Sequence, residues 1–192
     1  MFYKIAKIIV FPFIYLLFWP KVKGIENFPK DGKLIVYSNH TSNFDPVIIG
    51  VLMPRKIHFM AKEELFRIPI FGFIIKKLGA FPVRRGKVDI SAIKHSLKIL
   101  KQDEVLGMFP EGTRSKTGEI QSFEDGIASI AIRAKAPVIP VAICGGYRCF
   151  RRITVNVGKP IIYERYYGRK VTNEELHKIT KDMEDNLRKL MD

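Results

Sequence analysis

The sequence predicts a single α/β domain, a mostly parallel or mixed sheet covered by helices, preceded by an N-terminal hydrophobic segment. Three observations lead there. Beyond Gly24, short β-branched runs alternate with stretches of helical periodicity, with no internal repeat, low-complexity tract or long linker. The chain has 192 residues, 47% apolar and 27% charged, enough to bury one core and unlike a disordered tail. Finally, between Met1 and Trp19 only Lys4 and Lys7 are charged, so the start of the chain differs in composition from the rest.

The elements follow in order. Lys33–Asn39 (KLIVYSN) reads as a buried strand, and Asp45-Pro46 as a helix start with Asp45 as N-cap and proline in the first turn. Ile57–Ala61 and Ala80–Val83 read as short strands. From Asp89 to Lys101 the apolar positions Ile90, Ile93, Leu97 and Leu100 share one helical face. Val105–Phe109 is the next strand. Asp125 is placed to cap a helix carrying Ile127, Ile130, Ala131 and Ala134, which Pro137 ends before the strand Val138–Ile143 (VIPVAI). Ile153–Val157 alternates as a further strand. A last helix carries a capping box, Thr172 with Glu175, and the stripe Leu176, Ile179, Met183, Leu187 and Leu190. The expected division is residues 1–23 as the hydrophobic segment and 24–192 as the folded domain.

Charge and cysteines narrow the partners. Thirty-three Lys and Arg against nineteen Asp and Glu give +14, which favours polyanions: nucleic acid, anionic membrane or phosphorylated substrates. No zinc-finger spacing, RNP-like aromatic motif or basic helix supports nucleic acid. Cys144 and Cys149 are the only cysteines, too few for a disulfide scaffold, and their C-x4-C spacing without a nearby His points to no metal. In the N-terminal segment Ile8–Trp19 is apolar but shorter than the roughly 20 residues of a spanning helix, and Pro12 interrupts it. It reads as a stretch dipped into one leaflet, with Tyr15 and Trp19 at the headgroup boundary and Lys21, Lys23, Lys30 and Lys33 beyond. The competing reading is a helix packed on the domain.

Two segments at predicted strand ends carry the chemistry, and a third supplies cations. In Asn39-His40-Thr41-Ser42-Asn43-Phe44-Asp45 a loop that turns back would let the Asp45 carboxylate hold one ring nitrogen of His40. The other nitrogen is then free to accept a proton. This is the base half of a hydrolase triad without its serine, so the nucleophile would be a substrate hydroxyl. Phe109-Pro110-Glu111-Gly112-Thr113-Arg114-Ser115 combines close backbone approach, hydroxyls and a planar guanidinium suited to phosphate, without the P-loop pattern. Gly79–Lys87 delivers Arg84, Arg85 and Lys87 together at a strand end. For each, a plain polar turn, helix cap or solvated charge run is the competing reading.

Together these blocks resemble the glycerolipid acyltransferase superfamily, most closely the bacterial 1-acylglycerol-3-phosphate (lysophosphatidic acid) acyltransferases, over about Ile25–Gly158. His40 and Asp45 match the H-x4-D motif, GAFPVRR the second block, FPEGTRS the third and VIPVAI the fourth. The resemblance implies transfer of a fatty acyl group from an acyl carrier protein or coenzyme A thioester to the free hydroxyl of lysophosphatidic acid, making phosphatidic acid. Glycerol 3-phosphate or another lysophospholipid is the alternative acceptor. It implies His40 as general base, Asp45 as its orienter, and Arg85, Glu111, Gly112, Thr113 and Arg114 lining the acceptor site. No metal or cofactor beyond the thioester co-substrate is implied. The expected location is the cytoplasmic face of the membrane, on an anionic surface. Arg84 stands where many members carry an acid, and Glu124 and Asp125 replace the common basic residue before Gly126.

Overall fold

The structure, a computed structural model, describes residues 2–84, 86, 88–147 and 150–191. Arg85, Lys87 and Cys149 therefore lie outside the described residues. Within them, strands β1 (Lys21–Lys23), β2 (Leu34–Ser38), β3 (Ile57–Lys62), β4 (Phe81–Val83), β5 (Val105–Met108), β6 (Val138–Cys144) and β7 (Thr154–Val157) form one sheet in the order β1-β7-β6-β2-β5-β3-β4. All neighbours pair parallel except β6 and β7, so the sheet is mixed. The six helices are α1 (Phe2–Phe18), α2 (Asp45–Leu52), α3 (Phe71–Leu78), α4 (Ile90–Lys101), α5 (Gly126–Ala134) and α6 (Asn173–Arg188).

The central strand explains the layering. Every residue of β2 is buried, Leu34 and Val36 toward one face and Ile35 and Tyr37 toward the other, so both faces of the sheet must be covered. Helices α4, α5 and α6 cover one face with Leu100, Ile127, Ala131, Ile179 and Met183. On the other, α1 and α2 bury Ile14, Phe18, Ile48 and Ile49.

Several expectations change. The boundary at residues 23 and 24 falls inside the fold: β1 pairs with β7, and α1 packs on α2 with Tyr3 Oη donating to the Gly50 carbonyl (2.8 Å) and Lys7 Nζ to that of Met53 (2.5 Å). Of the two readings of the N-terminus, the packed helix describes one face of α1, while the other face exposes Ile8, Phe13 and Leu16. The helix continues through Pro12, whose missing N–H falls opposite the carbonyl of exposed Ile8. None of the described helices is long and apolar enough to cross a membrane.

On α4 the buried face is rotated from the predicted stripe. Ala92, Ser96, Ile99 and Leu100 are buried while Ile90 is 64% exposed, because the small pair lets the helix approach closely and the Ser96 hydroxyl is satisfied by the Ala92 carbonyl (2.7 Å). Asp125 stands at the N-cap of α5 without a side-chain cap, since its helical φ and ψ (−64°, −6°) turn the carboxylate away from the first-turn amides. The Thr172–Glu175 capping box is present.

Candidate active site

The parallel strands β2, β5 and β6 are neighbours, and the loops leaving their C-terminal ends converge, the usual ligand end of an α/β sheet. The β2 loop carries His40, the β5 loop Glu111, and the β6 loop Tyr147. Asn39 ties two of them: its side-chain amide donates to the Ile143 carbonyl (2.9 Å) and accepts from the Ile143 N–H (2.8 Å), continuing the β2–β6 pairing past the strand.

His40 Nδ1 lies 2.7 Å from Asp45 Oδ2. That oxygen also accepts the N–H groups of Thr41 (2.7 Å) and Ser42 (2.8 Å), which leaves it no room for a proton. The proton between the two side chains therefore sits on Nδ1, and Nε2 presents a lone pair. Asp45 is fully buried and its other oxygen accepts the Tyr147 hydroxyl, whose ionisation burial and the adjacent carboxylate suppress. Asp45 was expected as a helix cap. Instead it is the first residue of α2, Phe44 holds the cap position in helical conformation, and the carboxylate turns back over its own loop.

Aromatic packing fixes the ring. His40 stacks on Phe109 (centroids 4.1 Å, 20°), and Phe109 on Phe59 (5.6 Å, 13°). Gly107 makes room for this stack, since a Cβ there would lie 2.5 Å from the Phe59 ring. The backbone of His40 is held as well: its N–H donates to Glu111 Oε1 (2.7 Å) and its carbonyl accepts the Ser115 N–H (2.7 Å). Glu111 Oε2 accepts the Gln121 N–H (3.1 Å). Both oxygens of this buried side chain are thus engaged by backbone donors, and burial pushes its carboxyl up.

Gly112, Thr113 and Arg114 are exposed beside the dyad, Gly112 in the left-handed region (φ 67°). Arg114 Nη1 donates to Asn43 Oδ1 (3.0 Å), joining the third block to the first. A cleft of about 460 Å³ lies alongside, lined by Thr41, Ser42, Ser115, Lys116 and Tyr147 among others, but by neither His40 nor Gly112–Arg114. At the end of β4 a second hollow of about 500 Å³ is bordered by Arg84, Asp89, Ser91 and Lys94. Arg85 belongs to that loop but lies outside the described residues. Asp89 anchors it, capping α4 through Ser91 N–H (3.0 Å) and Ala92 N–H (3.1 Å) and accepting Arg84 N–H (2.9 Å); these bonds hold its carboxyl well below the usual range.

Asn39 and Phe109 open the two segments that the sequence points to, without a role of their own there, whereas Tyr147 is not among the candidate residues. Its signal was position, four residues past the end of the predicted strand Val138–Ile143. Among the described residues, no hydroxyl or thiol of the protein bonds to His40 Nε2. The pair is, among the described residues, a base without a bonded nucleophile.

A profile of the family described as Acyltransferase matches residues 20–144. The chain belongs to the acyltransferase family. A relative from Bacillus subtilis named 1-acyl-sn-glycerol-3-phosphate acyltransferase is 34% identical over 176 residues, 88% of this chain and 87% of that one. One of the same name from Streptococcus pneumoniae is 37% identical over 139 residues, 69% of this chain and 51% of that one. Among solved structures, the 1-acyl-sn-glycerophosphate acyltransferase PlsC of Thermotoga maritima superposes with a TM-score of 0.72 at 29% identity, covering 98% of this chain and 75% of that one. The likeness to this acyltransferase extends over both helical layers and the sheet.

Proposed function

We propose that the protein transfers a fatty acyl group from an acyl thioester, on acyl carrier protein or coenzyme A, to the free hydroxyl of 1-acylglycerol 3-phosphate, making phosphatidic acid. The observation that carries this reading is the buried His40–Asp45 pair, to whose Nε2 no nucleophile among the described residues is bonded. A substrate hydroxyl must then be the attacking group. His40 removes its proton as the oxygen attacks the thioester carbonyl, and the imidazolium, supported by Asp45, returns that proton to the leaving thiolate. No cofactor enters.

Glu111 acts by holding the His40 backbone, while Gly112, Thr113 and Arg114 line the acceptor site, and the family resemblance assigns Arg85 to the acceptor phosphate. Fixing both substrates relative to Nε2 lowers the barrier by proximity, an effect that reaches about 7–11 kcal/mol in favourable cases. The unpacked apolar face of α1 and the +14 charge suit an anionic membrane, with the protein seated in one leaflet on its cytoplasmic side.

The test is purified protein with labelled acyl thioesters of both kinds and a panel of acceptors. Label should enter phosphatidic acid from lysophosphatidic acid. Preferential use of glycerol 3-phosphate or lysophosphatidylcholine would overturn the acceptor assignment.

A further inference from the structure

Helix α3 and the turn before it form the most conspicuous apolar surface that the site does not use. Ile68, Ile70, Phe71, Phe73 and Ile74 are all exposed, Ile70 at 77% and Phe73 at 61%. Monomeric soluble proteins rarely gather so many large apolar side chains in seven positions of surface.

The backbone holds this tip outward. Ile70 has φ 62° and ψ −57°, a conformation costly for a β-branched residue, and the Phe71 N–H closes a tight three-residue turn on the Pro69 carbonyl (2.6 Å). Behind it, Gly72 lies so close to Phe66 that a Cβ would meet the Phe66 carbonyl oxygen at 2.4 Å. A strained turn and a glycine contact thus fix the direction of side chains that stand largely in the open, Ile70 and Phe73 most of all. Strain of this kind gathers where a surface has work to do.

Position and charge identify the occupant. The segment leaves the C-terminal end of β3, parallel to the strand that delivers His40, so the tip lies on the side of the molecule where the site opens. Helix α3 also packs against α1, whose outer face is apolar. Lys76 and Lys77 occupy its last turn, about 10 Å behind Ile70 at 1.5 Å per residue, with Lys77 reaching over the Phe73 ring. Lys62 and Arg67 stand just before the tip but are paired with Glu64 (3.2 Å) and Glu63 (3.2 Å), so the net positive charge behind the apolar group comes from Lys76 and Lys77. Interfacial helices place apolar groups about 5–10 Å into the headgroup and acyl boundary, with cations above at the phosphates. An acidic protein partner would instead be met by cations at the centre of the patch.

We propose that the tip of α3 is a second membrane contact, inserting Ile70 and Phe73 into an anionic bilayer beside α1 and holding the His40 opening against the lipid surface. This rests on the reading that the enzyme works on acceptors in a membrane.

Trp19, exposed and the only tryptophan, makes the two contacts separable. Wild-type protein reports α1, and the W19F/F73W variant reports α3, each with phosphatidylglycerol–phosphatidylcholine vesicles containing chain-brominated lipid. Emission of the W19F/F73W variant should shift to the blue and be quenched. In I70E/F73E, vesicle affinity should fall at least about tenfold while activity on short-chain, water-dispersed acceptor is kept. Quenching of Trp19 with no response from W19F/F73W would overturn the α3 contact and leave the membrane reading standing. Silence of both reporters would overturn both. A W19F/F73W response to acyl carrier protein, absent with vesicles, would overturn the lipid assignment in favour of a protein.

Discussion

The Tyr147 hydroxyl donates to Asp45 Oδ1, joining the loop after β6 to the first residue of α2 across 102 positions of sequence. Phe18, at the end of α1, packs edge-on against the same tyrosine ring (5.5 Å, 89°). The N-terminal helix therefore completes the wall behind the carboxylate that holds His40.

Y147F keeps the ring and its contact with Phe18 but leaves a fully buried carboxylate one donor short. A hydrogen bond to a charged group is worth about 1.5–3 kcal/mol. At roughly 2–4 °C per kcal/mol for a domain of this size, the melting temperature should fall by about 3–12 °C. Steady-state kinetics should show a lower kcat with little change in either KM. F18L should lower kcat in the wild type and add nothing in the Y147F background, because Phe18 acts through the tyrosine.

E111Q separates bracing from acceptor binding. A Gln side chain accepts one of the two backbone N–H groups and turns its amide onto the other, so either His40 N–H or Gln121 N–H loses its acceptor. An unsatisfied buried donor costs about 1–3 kcal/mol. Thermal melts should register that loss and kcat should drop with it. A rise in acceptor KM alone, with stability intact, would return Glu111 to direct substrate contact.

Asp89 gives the pH prediction. Its folded carboxyl titrates below the unfolded value of about 3.9, so the stability it contributes is complete above that value and is lost as pH falls through it toward the folded value. In D89N the Asn oxygen still caps α4, while its amide meets the Arg84 N–H and frees the loop that also carries Arg85. Denaturation curves should show wild type more stable than D89N at neutral pH, with the gap closing below about pH 4. At neutral pH the KM for the phosphorylated acceptor should rise while kcat is nearly unchanged.

The two faces of α1 should behave differently. I8E, F13E and L16E alter exposed positions, so vesicle flotation should weaken while melting temperature holds. Deleting residues 2–19 removes buried Ile14 and Phe18 as well as the Tyr3 and Lys7 bonds. That deletion should lower stability and reduce activity even on water-dispersed acceptors.

What the sequence disclosed was local. The strands bearing His40 and Glu111 were legible because β-branched runs end in polar blocks, and the H-x4-D spacing suffices for Asp45 to reach the ring. The same spacing could not tell a helix cap from a ring-holding carboxylate, since both place Asp at a helix start; the folded loop decides, with Phe44 at the cap position and Asp45 Oδ2 2.7 Å from His40 Nδ1. Tyr147 was hidden because its partner is a hundred positions away. The apolar run Ile8–Phe18 of α1 carries no periodicity to say which face packs. Strand β1 was missed because three residues, two of them lysines, are held by pairing with β7 and not by a pattern of their own.

The central claim is direct transfer from thioester to a lipid hydroxyl with His40 as base, and a single-turnover experiment with labelled acyl thioester tests it most directly. Wild-type protein should pass label to phosphatidic acid with no acylated protein along the way. H40A should slow that transfer at least about 10²-fold, with acceptor binding little changed. An acyl-protein that forms and decays at the rate of product formation, or an H40A variant as fast as wild type, would contradict it.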